Sequence, residues 1–336
     1  MAQSKQQSII KQMWVTNKSL QVRWLCELRS SHFHIPWWDG FKMANYLEMA
    51  SSTDSEWIEV LCKEYQREVR EYARWPVLLL QSNARRLVWA ISGVLGVAAR
   101  GVPGSSCRLL EHYLSRKIEQ FFQQSRNTEE WDAYKNRLAA RFILLAVSCI
   151  QLTAKMQDLM APLTATLVRS SLMKEGIDLS REDIVAMEFH VFRAVDFTLP
   201  LWTSLEISEF LATQVGLVKR SILEAVGLIT NITEFYRDEL ELQMKGWLTR
   251  NPAGTPVTTA PQRPSPDSVT IHNLHMCAGV VLATARYFRS QFPDLVHRMA
   301  ILIRTIPDYI QAISDYVLNN VIEDTYVPTL KKRRLR

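Results

Sequence analysis

Apolar side chains recur along most of this chain at intervals of three and four residues, a spacing typical of amphipathic helices. One stretch departs from that pattern, because residues 141–155 (RFILLAVSCIQLTAK) are apolar on nearly every side and end in Lys155. A helix that is hydrophobic all round is normally buried at the centre of a helical domain. The stretch is also shorter than the roughly 20 apolar residues that a membrane-spanning helix needs. We therefore predict a buried central helix whose last residue is a cation.

A second helix is predicted with a clear beginning at Ser180. Ser180 and Asp183 have the spacing of a capping box, in which the two residues satisfy free backbone amides at the start of a helix. Its predicted core-facing residues are Ile184, Met187, Val191, Phe192 and Val195. One carboxylate, Glu188, interrupts this apolar stripe. A charged residue in that position is unusual and marks the helix as a candidate functional element.

The other periodic segments also predict helices, because none alternates apolar and polar residues as a half-buried strand does. Between residues 54 and 200, helix starts are predicted at Asp54, Pro76, Ser105 or Ser106, Thr128, Pro162 and Ser180. The Thr128 element is expected to continue without a break into the buried stretch. Later helices are predicted over residues 202–215, 218–242, 272–288 and 294–321. The fold class is therefore all-α.

Length and composition allow two helical domains. The chain has 336 residues, of which 47% are hydrophobic and 22% charged, so it can bury a substantial core. We divide it into a Trp-rich N-terminal extension (1–53), a helix followed by a first domain (54–200), a second domain (201–325) and a basic tail (326–336). A Pro-rich loop at 249–268 interrupts the second domain.

The net charge of +6 comes almost entirely from the C-terminal tail, KKRRLR. Its basic residues are Lys331, Lys332, Arg333, Arg334 and Arg336. The rest of the chain is close to neutral, so direct nucleic-acid binding, which needs clustered cations, is not predicted for the folded part. The tail matches a short nuclear-import signal and predicts a nuclear protein. Two alternatives are a merely solvated basic end, and a docking or nucleic-acid contact.

Cysteine usage and the N-terminus indicate an intracellular, soluble protein. The five cysteines are odd in number, far apart and include no CxxC pair, as expected of free thiols in a reducing compartment. The first residues contain no apolar run of the length found in signal peptides. No transmembrane segment is predicted.

The sequence lacks the patterns of the common catalytic and cofactor sites. It has no GxSxG or HExxH motif, and residues 101–106 lack the Gly-Lys-Ser/Thr ending of a phosphate loop. Cys149 lies within the apolar stretch, where burial makes a thiol inert. His272, His275 and Cys277 could each bind a metal, but no fourth ligand accompanies them, so we interpret them as structural. No enzymatic activity, cofactor or metal is predicted.

Two positions in the Pro-rich loop match the minimal motif of proline-directed kinases. They are Thr255, before Pro256, and Ser265, before Pro266. Phosphorylation at these two positions is one hypothesis. The other is that they are chance matches, since such dipeptides are common in any loop rich in Pro, Ser and Thr.

The two marked helices resemble the conserved motifs of the cyclin-box family. Residues 152–155 read LTAK, similar to the family's LAxKxxE pattern, and residues 187–192 read MEFHVF, similar to MExxIL. Within the family, the apolar stretch and the break after residue 200 are similar to the meiotic crossover factors of animals. The resemblance implies a five-helix cyclin box at about 80–200 and a divergent second cyclin-like domain after it.

The resemblance also implies a partner-binding role for Lys155 and Glu188. In cyclins the matching residues lie close together on an exposed face and bind a regulatory helix of a cyclin-dependent kinase, pushing it inward to complete the kinase's own Lys–Glu ion pair. By the same resemblance, the protein is a non-catalytic regulator that acts on meiotic chromosomes in the nucleus, in crossover designation and maturation, with meiotic recombination proteins as further partners. The alternative interpretation is an internal ion pair that ties two helices together.

Two departures from the family pattern keep other functions open. The family usually follows its Lys with an aromatic residue and two acids, whereas Lys155 is followed by Met156-Gln157-Asp158. The family's substrate-docking pattern is matched only weakly by Ala84–Val88, so recruitment of RxL substrates is doubtful. A kinase-independent nuclear scaffold is therefore the second hypothesis. A conventional cell-cycle or transcriptional cyclin is the third.

Overall fold

A computed structural model describes residues 54–72, 80–98, 100–124, 128–157, 163–200, 202–250, 271–290 and 294–323. These residues form thirteen α-helices and no β-strand, which confirms the predicted all-α class. They group into two units. The first contains the described residues of 80–203, and the second contains helix Asp54–Tyr72 and the described residues from 204 onward.

Helix Asp54–Tyr72, here α1, belongs to the second unit, whereas the sequence-based division placed it with the first domain. Its Glu59 accepts a hydrogen bond from Arg304 at 2.6 Å, and the ring of Tyr65 packs edge-on against His272 with 4.5 Å between centroids. The sequence could not show this grouping, because both contacts join residues more than 200 positions apart.

The first unit is built around one buried helix. Its helices are α2 (Ser82–Val94), α3 (Val102–Gln124), α4 (Thr128–Ala140), α5 (Phe142–Met156), α6 (Ala165–Lys174) and α7 (Arg181–Ala194). Helix α5 packs against α2, α3, α4 and α7, and its residues 145–154 are buried without interruption. The apolar stretch therefore forms the predicted central helix.

The predicted long element from Thr128 is two helices, so the described residues between 80 and 200 form six helices rather than the expected five. The helix axes of α4 and α5 differ by 57° across Arg141. The two sequences explain the bend, because α4 carries mostly exposed polar residues while α5 is almost wholly apolar. A straight helix could not keep the first half in water and bury the second.

Helix α3 begins earlier than predicted. Ser105 and Ser106 were expected to cap it, but the helix starts at Val102 and both serines are buried inside its first turns. Pro103 is tolerated there because a first-turn residue needs no backbone N–H for an intrahelical bond. The Ser106 hydroxyl donates to the Val102 carbonyl at 2.7 Å.

The second unit also surrounds a buried helix. Besides α1, its helices are α8 (Ser204–Gln214), α9 (Arg220–Phe235), α10 (Arg237–Arg250), α11 (Asn273–Tyr287), α12 (Leu295–Leu302) and α13 (Pro307–Tyr316), which continues as a π-helical turn (Val317–Glu323). Helix α11 packs against α8, α9 and α13, and residues 273–285 are all buried. It is the counterpart of α5.

Two long helices predicted for this unit are interrupted. The segment predicted over 218–242 forms α9 and α10, which meet at Tyr236. The segment predicted over 294–321 breaks between α12 and α13, where Arg304 has a φ of 55°. Such a left-handed backbone ends a helix, and a non-glycine residue adopts it only when the surroundings require it.

None of the described helices is alone long and apolar enough to cross a bilayer. The bent pair α4–α5 reaches that length and hydropathy only when both helices are taken together.

Several predicted features lie outside the described residues and stay predictions. They are the Trp-rich extension, the loop positions Thr255 and Ser265, and the basic residues Lys331, Lys332, Arg333, Arg334 and Arg336.

Candidate partner-binding surface

Helix α5 leaves the core at Lys155. The Gln151 side chain, one turn earlier, donates to the Leu163 carbonyl at 3.1 Å and ties the segment after the helix to its end. Lys155 and Met156 are the first exposed residues after ten consecutive buried ones. A cation in the last turn is favoured by the partial negative charge at the helix C-terminus.

Helix α7 has the predicted start and the predicted core face. The Ser180 hydroxyl oxygen accepts from the Asp183 backbone N–H at 3.0 Å, and the same hydroxyl donates to the Asp183 carboxylate at 2.6 Å. Ile184, Met187, Val191 and Val195 are buried, and Phe192 is partly buried against the same core. The helix start with Ser180 as its N-cap and the apolar stripe are therefore confirmed, while the Asp183 carboxylate binds the Ser180 hydroxyl.

The structure brings the two predicted residues together. The Lys155 ammonium donates to a carboxylate oxygen of Glu188, which lies 33 residues away on α7. The Lys155 side chain is 45% exposed and that of Glu188 15%. An ion pair with this exposure contributes less than about 1 kcal/mol to stability. An ammonium has three donors and a carboxylate about four acceptor positions, so both groups keep capacity for a partner.

Large apolar side chains flank this ion pair in water. Met156 is 43% exposed, Val185 51% and Phe189 60%. Val185 and Phe189 are four residues apart and therefore neighbours on one side of α7. Exposed apolar side chains that cluster are typical of interaction sites. We call these three residues, together with Lys155 and Glu188, the Lys155 surface.

The charged members of this surface were predicted from the sequence, and the apolar ones were not. The available signal was that Val185 and Phe189 recur at helical spacing outside the stripe assigned to the core. A helical wheel shows this second stripe. It does not show whether another helix of the same chain covers it.

The weak match to a substrate-docking patch, Ala84–Val88, does not form an apolar surface. Four of its five residues are buried, and only Arg86 is exposed. The Arg85 guanidinium lies in the core and forms an ion pair with Glu111 at 2.7 Å. These residues support the fold of the first unit, in keeping with the expectation that RxL docking is doubtful.

The candidate metal ligands of the second unit have other roles. The His272 ring accepts from the Leu274 N–H at 3.1 Å and so caps α11. The Cys277 thiol donates to the Ser204 carbonyl at 3.2 Å. His275 is buried edge-on against the rings of Tyr65 and Tyr309. Within the described ranges, no three His, Cys, Asp or Glu side chains are placed to share a metal ion.

The thiol in the central helix is as inaccessible as predicted. Cys149 is fully buried, and that burial raises its pKa well above the usual range of a thiol. Because the thiolate is the reactive form, this cysteine is a packing residue.

Comparison with known proteins gives a distant relationship to cyclin-like proteins. The chain is 25% identical over 125 residues to cyclin N-terminal domain-containing protein 1 of Homo sapiens and 26% identical over 125 residues to that of Mus musculus. The matched region is 35% of this chain, and it spans only 38% and 37% of the length of these relatives. No protein-family model and no solved structure matches. The matches support a cyclin-like relationship.

Proposed function

We propose that this protein is a non-catalytic, cyclin-like regulatory subunit that binds a cyclin-dependent kinase through the Lys155 surface. The observation that carries the proposal is the contact between Lys155 and Glu188 beside exposed apolar side chains. The two residues occupy the positions that the cyclin-box motifs assign to kinase contact. The distant similarity to cyclin N-terminal domain-containing proteins agrees with this assignment.

The surface fits an amphipathic helix of the partner. The apolar face of such a helix would cover Val185, Phe189 and Met156, and its end would present backbone groups to Lys155 and Glu188. By binding this helix of the kinase, the Lys155 surface would shift the kinase toward the conformation in which the helix is held inward. In that conformation the kinase completes its own Lys–Glu ion pair, which its activity requires. The regulator itself performs no chemistry.

The biological setting that we propose is meiotic recombination in the nucleus, where crossover sites are designated and matured with other recombination proteins. The motif resemblance to meiotic crossover factors supports this part, and the basic tail supports nuclear import.

A kinase-independent scaffold is the second candidate, and one observation favours it. Gln157, where the family pattern continues with acidic residues, is buried, and its carbonyl accepts from Arg100 at 3.4 Å. The segment after Lys155 therefore lacks part of the family's contact set. A conventional substrate-recruiting cyclin is less favoured, because Ala84–Val88 is largely buried.

A pull-down from germ-line extract, read by mass spectrometry, tests the proposal. Phe189→Asp places a charge within the Lys155 surface, at a side chain that is mostly exposed, so the fold should tolerate it. Val218→Asp is the matched control, because Val218 is also about half exposed but lies before α9 in the second unit. We expect the wild type and the control to recover a cyclin-dependent kinase, and Phe189→Asp to lose at least about tenfold of it.

The other outcomes are informative as well. Recovery of meiotic proteins without a kinase, sensitive to Phe189→Asp, would support the scaffold. Equal partner recovery by both variants would exclude this surface as a binding site.

A further inference from the structure

The second unit has a cleft that the proposed kinase binding does not use. It lies where the end of α11 meets the starts of α12 and α13, and its volume is about 660 Å³. Cavities of roughly 300–1,000 Å³ are typical of sites that bind ligands. Its apolar wall is formed by Leu282, Ala285, Leu295 and Pro307, of which the first three are buried. We call these four residues, together with Asp294 and Asp308, the Asp308 cleft.

The two carboxylates of this cleft are available to a cation. Asp294 and Asp308 are both exposed, and across the residues that the structure describes neither side chain forms a hydrogen bond or an ion pair. Asp294 is the N-cap of α12, where an aspartate usually accepts from a backbone N–H of its own helix. Its backbone is left-handed, with a φ of 56°, and its side chain makes no such bond. Arg286 also lines the cleft, but its charge is balanced by Asp315 at 2.5 Å.

An apolar wall beside two carboxylates matches the side chain of lysine or arginine. Such a side chain lays its aliphatic stem on apolar surface and keeps its charged head at a polar edge. Here the stem would lie on Leu282 and Leu295, and the head would reach Asp294 or Asp308. The imidazole of His297, which also lines the cleft, can accept a further hydrogen bond. An anion would be repelled by the two carboxylates, so the cleft fits a basic segment.

The chain itself carries a basic segment within reach of the cleft. Residues 331–336, KKRRLR, lie outside the described residues. The helical segment from Asp308 in the first turn of α13 to Glu323 is at most about 22 Å long. An extended chain from Glu323 to Lys331 spans up to about 27 Å. Lys331 can therefore return to the start of α13, which is one edge of the cleft.

We propose that the basic tail of this chain binds in the Asp308 cleft and thereby covers the predicted import signal. Two of its cations contact Asp294 and Asp308. Each such exposed ion pair is worth less than about 1 kcal/mol. A segment tethered this closely has an effective concentration on the order of millimolar, however, so a contact that is weak between separate molecules is favoured within one chain. The effect on import rests on the proposed nuclear role, whereas the binding rests neither on that role nor on the Lys155 surface.

Fluorescence anisotropy with full-length protein tests the binding. The probe is a fluorescein-labelled peptide of residues 324–336, DTYVPTLKKRRLR. It is added to the wild type and to a neutral-tail variant, in which Gln replaces the five basic residues Lys331, Lys332, Arg333, Arg334 and Arg336. We expect the peptide to bind the neutral-tail variant at least about tenfold more tightly, because the tail of the wild type competes for the same cleft.

Further substitutions in the neutral-tail variant locate the bound peptide. Asp294→Asn/Asp308→Asn removes both charges of the cleft and keeps the side-chain shapes, so peptide affinity should fall at least about tenfold. The matched control is Glu175→Gln/Asp178→Asn, which neutralises two exposed carboxylates of the first unit and should leave the affinity unchanged. Equal peptide binding by the wild type and the neutral-tail variant would overturn the proposal and assign the cleft to a basic segment of another protein. Affinity that survives Asp294→Asn/Asp308→Asn would also overturn it.

A second measurement examines the wild-type chain directly. A carbodiimide joins an amine to a carboxylate only where the two are in contact. In dilute protein we expect mass spectrometry to find Lys331 or Lys332 joined to Asp294 or Asp308 within a single chain. Absence of this cross-link, or its formation only between two copies of the chain, would contradict an intramolecular contact.

Discussion

The two central helices, α5 and α11, end in the same arrangement but in different surroundings. Each is buried along its length and carries a cation in its last turn, Lys155 in α5 and Arg286 in α11. Each cation binds a carboxylate on a neighbouring helix of its own unit. Lys155 binds Glu188, and Arg286 binds Asp315 at 2.5 Å.

The neighbours of the two ion pairs differ. Asp315 also accepts from the Gln311 side chain at 2.9 Å, and Arg286 also donates to the Ser314 hydroxyl at 3.1 Å. The second pair is thus surrounded by polar groups of its own unit. The first pair is surrounded by the exposed apolar residues of the Lys155 surface. The two ion pairs are alike, and they differ in their neighbouring side chains, which make only the first pair part of a candidate docking surface for a kinase.

The largest expected effect is a difference in stability between a substitution in the buried middle of α5 and one on the exposed side of α7. Ile150 is fully buried, so Ile150→Ala should lower the free energy of unfolding by about 2–5 kcal/mol. Phe189→Ala should change it by no more than about 0.5 kcal/mol, because that ring is mostly in water. Urea denaturation measures both. A large cost for Phe189→Ala would mean that this ring belongs to the core, and the comparison would fail.

The next effect tests how closely α11 is packed. A Cβ on Gly279 would lie 2.2 Å from the Ile313 Cγ2 atom of α13, so Gly279→Ala should destabilise the chain by about 1–3 kcal/mol. Gly246→Ala in α10 is the control, because nothing lies within 4 Å of its Cβ position. Removing a helix-interior glycine there should stabilise by up to about 1 kcal/mol. Thermal unfolding of the two variants should therefore shift in opposite directions.

A third prediction is that α11 makes the stability of the protein depend on pH, because it buries His275. The buried segment of α5 contains no histidine and should make no such contribution. Burial, and then the charge of His272, lowers the pKa of His275 to about 3. The unfolded chain protonates this ring near pH 6.5, so below that pH the unfolded state binds the extra proton. Stability should fall by up to about 1.4 kcal/mol per pH unit between pH 6.5 and 5.

Urea titrations at several pH values, on the wild type and His275→Phe, measure this slope. In His275→Phe, stability should no longer fall in this way between pH 6.5 and 5. In His297→Gln, which changes an exposed histidine, the fall should be the same as in the wild type. An unchanged slope in His275→Phe would show that the ring is not held neutral.

The smallest expected change in stability is the one caused by exchanging the two charges within each ion pair. Exchanging the charges, as Lys155→Glu/Glu188→Lys or Arg286→Asp/Asp315→Arg, should change the free energy of unfolding by less than about 1 kcal/mol in each case. Both pairs are partly exposed, and both exchanges keep opposite charges in contact. Urea denaturation measures this change. If either exchange lowers the free energy of unfolding by several kcal/mol, that ion pair contributes substantially to stability.

Signals in the sequence predicted much of the fold and two of the five residues of the Lys155 surface. The N-cap at Ser180 and the apolar stripe of α7 follow from residues close together in the chain. The closeness of Lys155 and Glu188 followed from the family motifs. The contributions of Met156, Val185 and Phe189 could not be foreseen, because their exposure depends on which helices pack nearby.

The errors in the sequence-based prediction also have physical causes. The break at Arg304 lies in a segment whose helical periodicity continues across it, so tertiary packing decides where that helix stops. The bend at Arg141 does have a signal in the sequence, which is the change from a mostly polar segment to an almost wholly apolar one. The early start of α3 was missed because Pro103 and Gly104 resemble a loop. In the first turn of a helix, however, a proline loses no hydrogen bond.

The measurement that tests the central claim most directly is kinase recovery by the two charge-exchange variants, side by side, from the same germ-line extract. Each variant keeps an internal ion pair, so stability is matched and only the groups offered to a partner change. We predict that Lys155→Glu/Glu188→Lys loses the cyclin-dependent kinase while Arg286→Asp/Asp315→Arg recovers as much as the wild type. Equal recovery by both variants would contradict it and would make the Lys155–Glu188 pair an internal tie like its counterpart.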